Sequence, residues 1–83
     1  MAVAYILYSE ESDSYFKGSA EDMSTCLTEH NAGKIAYTRP GIPWKIVWQE
    51  EQESMIEARK VEWKLKNILT RDKLLAFIER NTK

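Results

Sequence analysis

The stretch from Tyr15 to Lys34, YFKGSAEDMSTCLTEHNAGK, constrains the fold of this chain most, because it passes from strand to helix with its own start and stop signals. Tyr15 and Phe16 are strand-forming aromatics, and Gly18 is free to break the strand without a Cβ penalty. Ser19 followed by Asp22 has the spacing of a capping box, which predicts a helix beginning near Glu21 and running over Asp22–His30. Met23, Cys26, Leu27 and His30 recur at helical spacing and give that helix one packing face. Asn31 and Gly33 end it.

The flanking segments extend the pattern into an α+β fold. Val3–Tyr8 is an apolar, β-rich run closed by the polar loop Ser9–Ser14, so it is expected to pair antiparallel with Tyr15-Phe16-Lys17. Ala32–Pro43 is rich in Gly, Pro and polar residues and reads as a loop. Pro43–Trp48 reads as a third strand, with Trp44, Ile46 and Trp48 on one face and Lys45 and Val47 on the other. From about Ser54 the period becomes helical, through Ala58, Val61, Glu62, Leu65 and Ile68 or Leu69. A last helix from about Arg71 to Arg80 carries Leu74, Leu75, Phe77 and Ile78. The expected order is β-β-α-β-α-α: a small three-stranded antiparallel sheet packed with helices on one or both faces, as one domain over residues 1–83.

Composition limits the function classes. The chain of 83 residues is 43% hydrophobic and 30% charged, which suits a folded domain with one small core. Cys26 is its one cysteine, so there is neither an internal disulfide nor a multi-cysteine metal site, and a reducing cytoplasm is the expected setting. The start, MAVAYILYSEE, lacks a basic n-region and is too short in apolar residues for a signal peptide or a membrane span, so the mature chain is expected to begin at Met1. The net charge of −1 divides into −3 over residues 1–44 and +2 over residues 45–83. A local basic surface for phosphates is compatible with that balance, although a solvated helix face accounts for it equally.

Four side chains invite chemistry. Glu62 falls inside an apolar stripe, where it serves either as a ligand for a hard cation or as the i,i+4 partner of Lys66; pattern alone favours the ion pair. His30 is an acid–base candidate whose simpler role is a charge at the helix C-terminus or a partly buried ring. Cys26 in a helical stripe reads first as a small buried hydrophobe. Tyr5 and Phe16 are placed to share a sheet face, and aromatics on strands are core residues by default.

In order along the chain, these residues resemble the GIY-YIG nuclease superfamily, most of all its small single-domain members related to the amino-terminal nuclease domain of excinuclease C. The resemblance is carried by Val3-Ala4-Tyr5, by Phe16-Lys17-Gly18 in the place of YIG, and by His30-Asn31-Ala32-Gly33-Lys34. Tyr37-Thr38-Arg39, Pro43-Trp44-Lys45 and the helix with Glu57-Ala58, Glu62 and Lys66 continue it. It implies hydrolysis of DNA phosphodiesters with one divalent metal, Mg2+ or Mn2+, held by Glu62, and with Tyr5 and His30 organising water and phosphate. It also implies a second tyrosine where this chain has Phe16, and a phosphate-stabilising arginine where it has Cys26. Phe16 has no hydroxyl and Cys26 offers no cationic fork. The expectation is a DNA-binding GIY-YIG domain with an impaired or repurposed site, ahead of an active endonuclease or a protein-interaction scaffold. Lys34, Arg39, Lys45 and Arg59 are its candidate phosphate contacts, while strand parity sets Lys17 and Tyr15 on the face opposite Phe16.

Overall fold

The computed structural model describes residues 2–81. Strands β1 (Ala2–Ser9), β2 (Ser14–Ala20) and β3 (Trp44–Gln52) alternate with helices α1 (Met23–Asn31), α2 (Met55–Lys66) and α3 (Arg71–Asn81) in the order β-β-α-β-α-α. The sheet is antiparallel and three-stranded, with β1 between β2 and β3. A central strand covered on both faces needs apolar side chains at every position, which is why β1 reads as an unbroken apolar run. Val3, Tyr5 and Leu7 pack with Met23 and Trp44 on the α1 side. Ala4 and Ile6 pack with Trp48, Leu65 and Leu74 on the α2–α3 side. Ile6 and Leu7 are fully buried, each contributing about 1.5–3 kcal/mol by leaving water.

Several local expectations are corrected. Strand β2 does not break at Gly18 but continues through it to Ala20, paired with β1 along its whole length. Ser19 is therefore a strand residue, and Asp22 alone caps α1, its Oδ1 accepting from the backbone N–H groups of Ser24 (3.0 Å) and Thr25 (3.3 Å). Within the expected loop, Ala36–Gly41 forms a short 3-10 helix, opened by the Thr38 N–H donating to the Ile35 carbonyl at 3.2 Å.

Strand β3 carries the largest departure. Ile6 pairs with Trp48 and Leu7 with Ile46, so Val47 is an extra residue, a β-bulge, in β3. The bulge inverts the side-chain parity beyond it. Trp44 and Ile46 therefore pack on the α1 side while Trp48, with Val47, packs on the α2–α3 side. The three do not share one face. The strand also runs four residues past Trp48, because Gln49–Gln52 pair with Ala2–Tyr5 through their backbones.

In the second layer, Ser54 caps α2 by accepting from the Glu57 N–H at 3.3 Å, and Thr70 serves α3 through Lys73 at 3.3 Å. Ile68, not Leu69, packs on the core, and Leu69 is 86% exposed. Leu75, expected in the packing stripe of α3, is exposed, and Leu74, Phe77 and Ile78 make the contact. No helix among the described residues is long and apolar enough to cross a membrane.

Candidate active site

Tyr5 enters the site by lying across Gly18, its partner in the β1–β2 ladder. A Cβ at Gly18 would stand 2.5 Å from Tyr5 Oη and 2.7 Å from Cζ. Only glycine gives the phenol room to reach the edge of the sheet. At the end of that reach, Oη accepts from Cys26 Sγ at 3.2 Å and lies 3.4 Å from His30 Nε2. His30 Nδ1 is 2.8 Å from Thr38 Oγ1, which in turn donates to the Ile35 carbonyl at 3.3 Å. Assigned in this sense, Thr38 accepts from Nδ1–H and Nε2 accepts the Tyr5 proton, so each donor of the chain Cys26–Tyr5–His30–Thr38 is used once.

Electrostatics keep this chain neutral. Burial pushes the Tyr5 pKa well above that of an ordinary phenol, the Cys26 thiol pushes it further, and the Glu62 carboxylate adds to both. Burial also lowers the His30 pKa. His30 is 1% exposed, so it is a buried neutral ring rather than a charge at the end of α1. Cys26 is half-buried against the α1-side core, as its helical position suggests, and its thiol in addition donates to Tyr5 Oη. Phe16 lies within an aromatic cluster, its ring centroid 5.2 Å from His30, 6.0 Å from Tyr37 and 6.4 Å from both Tyr5 and Trp44.

From the opposite face of the sheet, α2 brings Glu62 to the same edge. Ser19 is paired with Ala4 in the ladder and so faces α2, where its Oγ donates to Glu62 Oε1 at 2.5 Å. Glu62 Oε2 holds Lys66 Nζ at 2.6 Å, with the Glu62 side chain 21% exposed. Lys17, on the α2 face as its parity requires, donates from Nζ to the Ile68 carbonyl at 3.4 Å. Because β2 is an edge strand, Lys17 and Lys66 still line one cleft with Tyr15, Phe16 and Tyr37, about 330 Å³ in volume.

Known proteins match the chain over most of its length. The family described as the GIY-YIG catalytic domain matches residues 1–74. The chain belongs to the GIY-YIG family. UPF0213 proteins from Staphylococcus aureus strains Mu3, Mu50 and N315 are each 35% identical to it over 68 residues, covering 81% of this chain and 83% of theirs. No solved structure matches it significantly.

This GIY-YIG domain thus gathers five of the sequence-selected residues, Tyr5, Phe16, Cys26, His30 and Glu62, around the β2 edge, three of them linked by hydrogen bonds. It does not gather the four selected cations. Lys45 pairs with Tyr8 in the ladder, on the α2–α3 face, and is held by Glu10 at 3.0 Å beside the Tyr8 ring. Arg39 donates from Nε to the Gly33 carbonyl at 2.9 Å on the α1 side. Lys34 and Arg59 are exposed. Sequence reasoning passed over Ser19, which it took for a helix cap, and Thr38, which orients the histidine; Lys17 and Lys66 were visible only as a parity argument and an ion-pair partner.

Among the described residues no group of three or more His, Cys, Asp or Glu side chains converges on a point. A divalent cation here would therefore rest on Glu62, with water and phosphate oxygens filling its shell. The carboxylate fits such a use, since both oxygens are held by exchangeable partners, the Ser19 hydroxyl and the exposed Lys66 ammonium.

Proposed function

We propose that this GIY-YIG domain binds nucleic acid at the β2 edge and cleaves phosphodiesters far more slowly than its fold allows, because its site lacks a hydroxyl at Phe16 and a guanidinium at Cys26. The observation that carries the reading is the Cys26 thiol on Tyr5 Oη at 3.2 Å. The resemblance sets an arginine at that position. A guanidinium beside the phenol would lower its pKa and neutralise phosphate charge, whereas the thiol raises the phenol pKa and brings no charge of its own to the phosphate.

The residues present divide the work as follows. Tyr5 stays protonated and directs its proton to His30, so its oxygen is left only to accept, from a water O–H, and does not abstract a proton. Thr38 holds the imidazole tautomer. Phe16 fills the place of the second tyrosine with an apolar ring and excludes water there. Glu62 is the residue to hold Mg2+ or Mn2+, which when bound would supply charge stabilisation at the phosphate. Losing a positioned acid or base typically costs ~10²–10⁴ in rate, and losing an electrostatic donor ~10²–10³. The two losses need not multiply.

The test is cleavage of duplex, single-stranded and branched DNA in Mg2+ or Mn2+, comparing the natural chain with Phe16→Tyr/Cys26→Arg and with that double variant also carrying Glu62→Ala. The reading expects the double variant to cut far faster than the natural chain, and Glu62→Ala to remove that gain. It fails if the natural chain cuts as fast as the double variant, or if the double variant remains silent while folded.

A further inference from the structure

We infer that Lys17 and Lys66 form a two-ammonium seat for a nucleic-acid phosphate at the edge of β2, in place of the cationic fork that Cys26 does not supply. This rests on the nucleic-acid reading above and assigns its phosphate contact to residues outside the expected set.

Lys17 is the unusual member. It is half-buried, makes no ion pair among the described residues, and its hydrogen bond is to a single backbone carbonyl, that of Ile68, at 3.4 Å. Every other lysine or arginine in close ionic contact meets a carboxylate: Lys45 with Glu10, Lys60 with Glu57, Lys66 with Glu62 and Arg71 with Asp13. Lys17 instead shares its cleft with a second ammonium, that of Lys66. Burial first, and then the charge of Lys66, hold its pKa below that of a free lysine.

Two like charges facing one cleft repel, and an anion between them removes that repulsion while supplying both with acceptors. The cleft has the remaining features of a nucleotide seat. Its walls are Tyr15, Phe16 and Tyr37, and Tyr37 is 83% exposed, leaving a ring face for a sugar or base beside the phosphate. Lys66 also touches Glu62 at 2.6 Å, so a phosphate on the pair lies next to the one carboxylate of the site. Inorganic phosphate and a DNA phosphate share this chemistry, and the experiment separates them.

The experiment is fluorescence anisotropy of labelled duplex DNA in EDTA over a range of salt, with Lys17→Gln, Lys66→Gln and Lys45→Gln beside the natural chain. In parallel, the Lys17 Nζ resonance of the natural chain is titrated with pH, without and with inorganic phosphate. Each cleft variant is expected to weaken binding severalfold and to reduce the slope of log affinity against log salt by about 0.9, the counterion term for one phosphate contact. Lys45 does not line the cleft, so Lys45→Gln should leave both unchanged. Phosphate should move the Lys17 titration to higher pH. A natural salt slope in Lys17→Gln together with an unmoved titration overturns the seat. If the natural chain binds no DNA but phosphate shifts Lys17, the seat stands and the nucleic-acid reading falls. If neither ligand has an effect, both fall. The titration uses the unsubstituted protein, so a variant that failed to fold would leave this result intact.

Discussion

Replacing Gly18 by alanine tests whether the site depends on one missing methyl group. In most strands such a change is favourable, since alanine reduces the freedom of the unfolded chain and gains about 0.4–1 kcal/mol. Here the new Cβ would lie 2.5 Å from Tyr5 Oη and 2.7 Å from Cζ, with Phe16 Cε2 at 3.2 Å. The phenol has no free space to retreat into, being 3% exposed and held by Cys26 and His30. Either the ring shifts and gives up those hydrogen bonds, worth about 0.5–1.5 kcal/mol each, or β2 moves away from β1. Overpacking of this kind costs about 1–3 kcal/mol, which exceeds the entropic gain. For a domain of this size the melting temperature should fall by about 5–20 °C. Thermal unfolding followed by circular dichroism gives that number, and nuclear Overhauser contacts between the Tyr5 and His30 rings report whether the phenol moved. A variant that melts at or above the natural temperature with the Tyr5–His30 contact intact would refute the argument, because it would mean that the ring does not need the gap.

Two further outcomes follow from the hydrogen-bonded chain and its surroundings. Thr38→Val keeps the shape of a fully buried side chain but strips His30 Nδ1 of its partner; unfolding in urea should show a loss of about 1–3 kcal/mol, and an unchanged midpoint would deny Thr38 its orienting role. Stability should also fall with acidification in two stages, seen as melting temperature against pH. Burial holds the folded His30 below its ordinary 6.5, so the unfolded chain binds more protons and stability drops as pH falls through that value. Arg71 and Tyr8 hold Asp13 at about 2 instead of 3.8, so a second decline falls between those values. His30→Gln should flatten the first stage and Asp13→Asn the second; a slope near pH 6 that survives His30→Gln would assign it to another group.

How much of this was legible in the sequence depended on whether a feature was periodic. The apolar run of β1, the α1 stripe and the order of elements follow from apolar spacing, and the structure agrees with each, while the spacing left open whether helices cover one face of the sheet or both. The bulge at Val47 was not legible, because an inserted residue changes which face a tryptophan takes without changing any residue type. Gly18 was misread for a related reason: a glycine that breaks a strand and one that admits a neighbour's ring have the same letter, and only the cross-strand partner, Tyr5, distinguishes them. Tyr5, Phe16, Cys26, His30 and Glu62 were found together through their order along the chain rather than through spacing, since they come from four elements. Lys17 escaped because alternation assigns a face, while an edge strand allows one cleft to take side chains from both.

The division of the site between two layers has a consequence for the time before the chain is complete. Tyr5, Phe16, Cys26 and His30 all precede β3, whereas Glu62 and Lys66 belong to α2 and come to the β2 edge only after α2 docks on the second face of the sheet. A ribosome that has released the first two strands and α1 exposes the tyrosine–histidine half without the carboxylate. The half-site lacks the Glu62 carboxylate and the Lys66 ammonium. Any engagement with nucleic acid proposed at this edge is therefore postponed until α2 has been made.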